Sequence, residues 1–307
     1  MSDAAPIRLD AASKWYDEVL AVNEVTAEFG PGVTGLLGPN GAGKSTLIKL
    51  LTGMLSPSLG RVRVHGVDPV TTPGVMRRVG LVPEQDPMYP GVSALEQQTY
   101  LNRLHGFPAA EAKSRAKASL ERVGLASAMT RAVAGYSKGM RQRAKLAQAL
   151  SHEPDILILD EPMNGLDPVG RRDITALVQE LGNAGCCVLV SSHVLHEVEQ
   201  MTHRVLLMDR GRVIAEGTIE AIRRDLSDQP LSVRITTKDP RAFAQRLVGL
   251  EGVRRLELGA GRLDVLTTRP DDLFAALTRL VTEDRLPLSE FGPTDESLEA
   301  VFRYLTT

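Results

Sequence analysis

The run Gly38-Pro39-Asn40-Gly41-Ala42-Gly43-Lys44-Ser45 follows a short apolar segment, Val33-Thr34-Gly35-Leu36-Leu37, and leads into Thr46-Leu47-Ile48-Lys49-Leu50-Leu51. Strand, glycine-rich loop and helix in that order give the pattern G-x-x-x-x-G-K-[ST] the context of a phosphate cradle. The three glycines let the backbone wrap closely, so successive N–H groups and the helix N-terminus face an anion. Lys44 adds a point charge for the outer phosphates of a nucleoside triphosphate, and the Ser45 hydroxyl suits a Mg²⁺ ligand. A chance glycine turn would account for the glycines but not for the strand before them or the helix after.

At 307 residues the chain has room for one large α/β domain and a smaller one. Segments such as Arg78-Val79-Gly80-Leu81-Val82, Ile156-Leu157-Ile158-Leu159, Cys187-Val188-Leu189-Val190 and Val205-Leu206-Leu207-Met208 are short and apolar. They fit strands buried on both faces of a mostly parallel sheet. Residues 7–30 and Arg61-Val62-Arg63-Val64 alternate apolar with polar side chains and predict antiparallel strands. Between these, residues 91–150 read as helical. Ser93-Ala94-Leu95-Glu96 is a capping box, and Pro108 and Gly124 bracket a helix whose Lys113, Arg115 and Lys117 belong on a solvated face. This block interrupts the α/β alternation as an inserted helical subdomain would.

Composition changes near Asp228-Gln229-Pro230. Beyond it the pattern predicts strand 231–236, helix 240–247, strand 253–258, strand 263–267, helix 270–282 and strand 286–291. A last short helix capped by Thr294 follows. That βαββαβ order is ferredoxin-like. RNA-binding modules share it, but they need aromatic residues on the central strands, and Arg262-Leu263-Asp264-Val265-Leu266 has none. Regulation or dimer contact is the expected role. Domain boundaries are expected at 5–225, with the helical insert at 91–150, and at 230–307.

Bulk properties exclude several classes. A net charge of −2 with no basic block argues against a nucleic-acid partner. No apolar stretch approaches the roughly 18 residues that cross a bilayer, and Met1-Ser2-Asp3-Ala4-Ala5-Pro6 lacks the regions of a signal peptide. The expectation is a cytosolic chain whose membrane role, if any, needs a separate partner. Cys186 and Cys187 are neighbours in an apolar strand and point to opposite faces, so a mutual disulfide is not expected.

Two further motifs carry chemistry. The apolar strand Ile156–Leu159 ends in Asp160-Glu161-Pro162, which places two carboxylates at the edge where the phosphate loop opens. Asp160 suits holding Mg²⁺, and Glu161 is placed to orient or deprotonate an attacking water. Tyr136-Ser137-Lys138-Gly139-Met140-Arg141-Gln142-Arg143 opens a helix about twenty residues earlier, making a second anion-seeking helix end. Two such ends in one chain make sense if each site is completed by a second protomer.

Here the sequence resembles the nucleotide-binding subunits of ABC transporters over residues 5–225. The resemblance implies a P-loop ABC ATPase domain with a mostly parallel core sheet, an antiparallel β subdomain and the helical insert, plus the small α+β ferredoxin-like domain. It implies ATP and Mg²⁺ as cofactors. It makes Gly38, Pro39, Asn40, Gly41, Ala42, Gly43, Lys44, Ser45 and Thr46 the nucleotide loop and Tyr16 the aromatic that stacks on adenine. Ser137, Lys138, Gly139 and Met140 become the signature acting in trans. Asn164-Gly165-Leu166-Asp167-Pro168 matches the loop crossing the dimer interface, with Asp167 its acidic member, and His193 matches the histidine contacting the γ-phosphate. Lys138 and Met140 depart from the commoner Gly and Gln, and Tyr-Ser-x-Gly-Met resembles the ABC-2-type exporter branch. In Pro83-Glu84-Gln85-Asp86-Pro87, either Glu84 or Gln85 fills the slot of the glutamine that senses Mg²⁺ and water, with Glu84 slightly favoured. The implied partners are integral membrane permease subunits and a second ATPase subunit, identical or paralogous, at the cytoplasmic face of the cell membrane. Rival readings are a soluble ABC ATPase acting on DNA or ribosomes, which would carry two cassettes or a long coiled coil, and a P-loop kinase, which leaves Ser137 to Gly139 unexplained.

Overall fold

The computed structural model describes residues 5–85, 88–225 and 231–293. The chain divides into two compact units, Met1–Thr218 and Ile219–Thr307. That division precedes the composition change at 228–230, because a short helix at 219–225 goes with the second unit.

The first unit opens with β1 (Ile7–Tyr16), β2 (Val19–Phe29), β3 (Gly32–Leu37), α1 (Lys44–Leu51), β4 (Leu59–Val64) and β5 (Val79–Val82). A helical block follows: α2 (Ala94–Leu104), α3 (Ala109–Arg122) and α4 (Lys138–Leu150). The alternation then resumes with β6 (Ile156–Asp160), α5 (Pro168–Asn183), β7 (Cys187–Ser192), α6 (Leu195–Glu199), β8 (Arg204–Asp209) and β9 (Arg212–Thr218). β2, β1 and β4 form an antiparallel sheet whose alternation buries Ile7, Leu9, Val22, Val25 and Phe29. The second sheet runs β5-β6-β7-β3-β8-β9, parallel except for β9. Every residue of β6 and β7 is buried, as unbroken apolar runs require in a sheet covered on both faces. The parallel pairing brings the C-terminal ends of β5, β6, β7, β3 and β8 to one edge, where ligands of open α/β sheets bind.

In the helical block, the Ser93 Oγ accepts from the Glu96 N–H at 3.2 Å while the Glu96 carboxylate accepts from the Ser93 N–H at 2.8 Å, so α2 starts on its capping box. Lys113 and Lys117 are exposed on α3. Arg115 departs from the expected solvated face: it lies 4.3 Å over the Phe107 ring and pairs with Glu111 and Glu153. α4 packs on β5 and on α2 and α3. Cys186 and Cys187 are both free thiols.

In the second unit, α7 (Ile219–Asp225) is followed by β10 (Leu231–Thr237), α8 (Pro240–Leu247), β11 (Val253–Gly259), β12 (Arg262–Thr267), α9 (Pro270–Thr282) and β13 (Leu288–Pro293). The sheet order β11-β12-β10-β13, antiparallel throughout, is that of a ferredoxin-like fold. Val233, Ile235, Leu263 and Val265 meet Phe243 and Leu247 of α8 and Leu273 and Leu277 of α9 in one core. Alternate positions carry Arg234 opposite Asp264, ion-paired at 2.7 Å. The last strand starts two residues later than the pattern predicts, and the short helix expected from Thr294 lies outside the described residues.

Candidate nucleotide site

The loop between β3 and α1 is shaped by backbone that other side chains cannot replace. Gly41 and Gly43 have φ values of 84° and 102°, in the left-handed region. A Cβ at Gly43 would strike the Ala21 carbonyl, and one at Gly38 the Met208 carbonyl. The turn between β8 and β9 stitches to the loop, with the Gly211 N–H donating to the Ala42 carbonyl at 2.9 Å. Lys44 is buried at the start of α1, and its ammonium donates to the Gly38 and Pro39 carbonyls at 2.6 and 3.2 Å. Burial lowers its pKa, while the carboxylates of Glu161, Asp160 and Glu84 act in the opposite direction.

Asp160 ends β6 opposite Ser191 of β7. The Ser191 hydroxyl donates to Asp160 Oδ1 at 2.5 Å and accepts from the Glu161 N–H at 3.0 Å. Glu161 itself is buried with φ at 50°, a conformation non-glycine residues adopt at a cost that surrounding contacts must offset. His193, just past β7, brings Nδ1 within 2.9 and 3.0 Å of the two Glu161 carboxylate oxygens. A carboxylate only accepts, so in this pairing Nδ1 carries the proton and Nε2 remains for another partner.

These groups face a cleft of about 780 Å³ lined by Tyr16, the loop 39–46, Glu84, Asp160, Glu161 and His193. Tyr16 is 41% exposed at the end of β1, so its ring is open to a stacking partner. Of the two alternatives in the loop after β5, Glu84 lines the cleft and Gln85 does not. Ala21 and Arg210 also line it, and no motif points to them; Asn164, the first residue of the loop expected to cross the dimer interface, lines it too. Ser191 was equally silent, because a serine closing an apolar strand reads as strand.

The other expected site residues lie elsewhere. Ser137 caps α4 by accepting from the Met140 N–H at 3.2 Å, is exposed, and with Lys138, Gly139 and Met140 stays outside the cleft. The Lys138 stem lies against Gly165, where a Cβ would strike it. Asp167 caps α5, accepting from the Gly170 N–H at 2.9 Å, and does not line the cleft either.

The residues fit a magnesium nucleotide. The cradle excludes Cβ atoms at Gly38 and Gly43, a buried ammonium stands at its centre, and the cleft falls within the size range of small-molecule sites. The Ser45 hydroxyl and Asp160 carboxylate offer the hard oxygen donors Mg²⁺ prefers.

The profile of the ABC transporter family matches residues 22–164. A daunorubicin resistance ATP-binding protein of Streptomyces coeruleorubidus is 33% identical over 308 residues, covering 100% of this chain and 97% of its own. The chain belongs to the ABC transporter family. A linearmycin resistance ATP-binding protein of Bacillus subtilis is 32% identical, with 98% of each chain covered. Among solved structures, an ATP-binding subunit of an ABC transporter matches with a TM-score of 0.67 and 28% identity, covering 72% of this chain and 93% of that one. As a member of this family the protein is an ATPase that takes ATP with Mg²⁺. ATP-binding subunits of this family dimerise and work with membrane permeases. No helix among the described residues is long and apolar enough to cross a membrane.

Proposed function

We propose that the chain powers export, as the ATP-hydrolysing subunit of an ABC-2-type system. It would act at the cytoplasmic face of the cell membrane, with separate permease subunits and no nucleic-acid partner. Relatives matching over nearly the full chain, second unit included, are named for drug resistance, which supports an exporter. The identity of the cargo belongs to the permease.

The observation that carries the mechanism is a division of labour. The cleft gathers the phosphate loop, Asp160, Glu161, His193 and Glu84, while the anion-seeking end of α4 at Ser137 lies exposed and outside it. Such a site is incomplete until a second copy, or a paralogue, presents its own Ser137 and Gly139 to the γ-phosphate. In this arrangement the N–H groups of 40–46 and the Lys44 ammonium bind the β- and γ-phosphates, and Tyr16 stacks on adenine. Ser45 and Asp160 would hold Mg²⁺, which when bound would neutralise charge on the outer phosphates. Glu161 accepts a proton from the attacking water, and His193 orients that carboxylate through Nδ1 while Nε2 faces the γ-phosphate. Glu84 reports on the same water from the loop after β5. Asp167 sits in the loop 164–168 that crosses the interface. Loss of the γ-phosphate removes contacts shared by both chains, so the dimer opens.

Glu161→Gln keeps the shape of the site and removes its base. The expected result is unchanged ATP affinity, hydrolysis reduced by about 10² or more, and an ATP-dependent dimer that persists. Hydrolysis at the wild-type rate would remove Glu161 from this role.

A further inference from the structure

Lys145 lies on the buried side of α4, 5% exposed, where its neighbours Ala144, Leu146 and Ala147 pack as apolar core. Its ammonium donates to three successive carbonyls, those of Pro83, Glu84 and Gln85, at 2.8, 3.2 and 3.3 Å. β5 ends at Val82, so these are the first carbonyls that the ladder with β6 no longer pairs. An ammonium has three donors and no acceptor, so each of these carbonyls is a partner of the right kind. Burying a charged amine costs several kcal/mol before such bonds offset it, so an apolar side chain would fill this position at less expense. What the lysine adds is a defined path for the chain through 83–85.

That path decides where Glu84 points, and Glu84 lines the nucleotide cleft with its charge acting on Lys44. The N-terminal end of the same helix carries Ser137, about 12 Å away at the rise of an α-helix. One rigid element therefore touches the Glu84 loop of its own site about two turns in from the end that carries the exposed signature. We propose that Lys145 is a positioning residue: it clamps the Glu84 loop to α4, so that engagement of Ser137 by the partner's nucleotide sets Glu84 in the chain's own site. The two sites of a dimer are thereby linked within each chain. This rests on the composite-site reading of the preceding subsection.

Lys145→Met keeps most of the stem and removes the ammonium, and Lys145→Arg keeps a charged donor. Each is assayed in the full chain for MgATP affinity and for steady-state ATPase. Each is also combined with Glu161→Gln, and backbone hydrogen exchange is followed in peptides covering 79–85 and 137–145, with and without MgATP. The expected outcome for Lys145→Met is MgATP affinity and KM within about twofold of wild type but kcat lower by about tenfold, with Lys145→Arg recovering much of the loss. In the exchange experiment, MgATP protects 137–145 whatever stands at 145, but protects 79–85 only when a cation is there. Protection of 79–85 by MgATP in Lys145→Met, or an unchanged kcat, overturns the proposal while leaving the composite site intact. Should Lys145→Met fail to fold, Lys145→Gln, which keeps two donors without charge, reads the same two signals. If MgATP binds wild type yet protects 137–145 in no variant, the composite-site reading fails and takes this proposal with it.

Discussion

Replacing Ser191 by Ala removes one hydroxyl from a fully buried strand end. That hydroxyl makes two bonds, donating to Asp160 at 2.5 Å and accepting from the Glu161 N–H at 3.0 Å. An orphaned buried N–H costs about 1–3 kcal/mol, and a lost bond to a carboxylate about 1.5–3 kcal/mol. The Glu161 backbone is also held at positive φ, and this bond is one of its restraints. Together these span about 2.5–6 kcal/mol, and since both groups border an open cleft from which water can partly compensate, a loss near the bottom of that span, about 3 kcal/mol, is expected. For a unit the size of Met1–Thr218 this lowers the melting temperature by roughly 6–12 °C, readable by calorimetry on the full chain. Asp160 should also lose orientation, so the Mg²⁺ concentration for half-maximal ATPase rises. Ser192→Ala is the comparator. Its hydroxyl accepts from the Val194 N–H at 3.0 Å and lies 3.4 Å from Glu197, touching neither Asp160 nor Glu161. The reasoning is refuted if Ser191→Ala costs under about 1 kcal/mol and leaves the Mg²⁺ requirement unchanged.

His152 stacks on His105 with ring centroids 4.3 Å apart, and burial, with His105 and Arg115 nearby, pushes its pKa down from 6.5 to about 4. Between those values the unfolded chain binds the proton and the folded one does not, so this stability is complete above pH 6.5 and lost as pH falls through 4. Discounted for partial exposure the effect is about 2 kcal/mol, and His152→Gln should flatten the dependence of the urea midpoint on pH by that amount. Burial pushes the Cys186 and Cys187 thiols up to about 11 and about 12. Thiol reagents at pH 8 should therefore modify the native chain at least about a hundredfold more slowly than the urea-unfolded chain.

Elements with a strict period were legible in the sequence. In 231–291 the alternation of Val233 with Ile235 and of Leu263 with Val265, together with prolines at 240 and 270 opening the helices, placed each helix and strand to within about two residues. The phosphate loop was legible because only glycine meets its backbone demands at 41 and 43. Long-range contacts were not. Arg210 and Ala21 reach the cleft because the turn at Gly211 bonds to Ala42 and Asn23, a pairing no local pattern encodes. Glu84 and Gln85 could not be separated by spacing alone, since one residue of slip in an irregular loop exchanges them. Lys145 and Ser191 act through carbonyls and amides distant in sequence, and each reads as an ordinary member of its helix or strand.

The composite site can be tested by mixing two inactive variants. Lys44→Ala disables the phosphate loop of its own chain, and Ser137→Arg disables the signature it offers to the other. Neither should hydrolyse ATP alone. In an equal mixture, half of the dimers would pair the two variants, and each such dimer keeps one intact site. The account therefore predicts recovery above the sum of the separate components: at most about a quarter of the wild-type rate by two-fold symmetry, and about tenfold less because Glu84 of the intact site depends on the disabled signature of its own chain. A mixture no more active than the sum of its separate components, under conditions where the two chains associate, would contradict it.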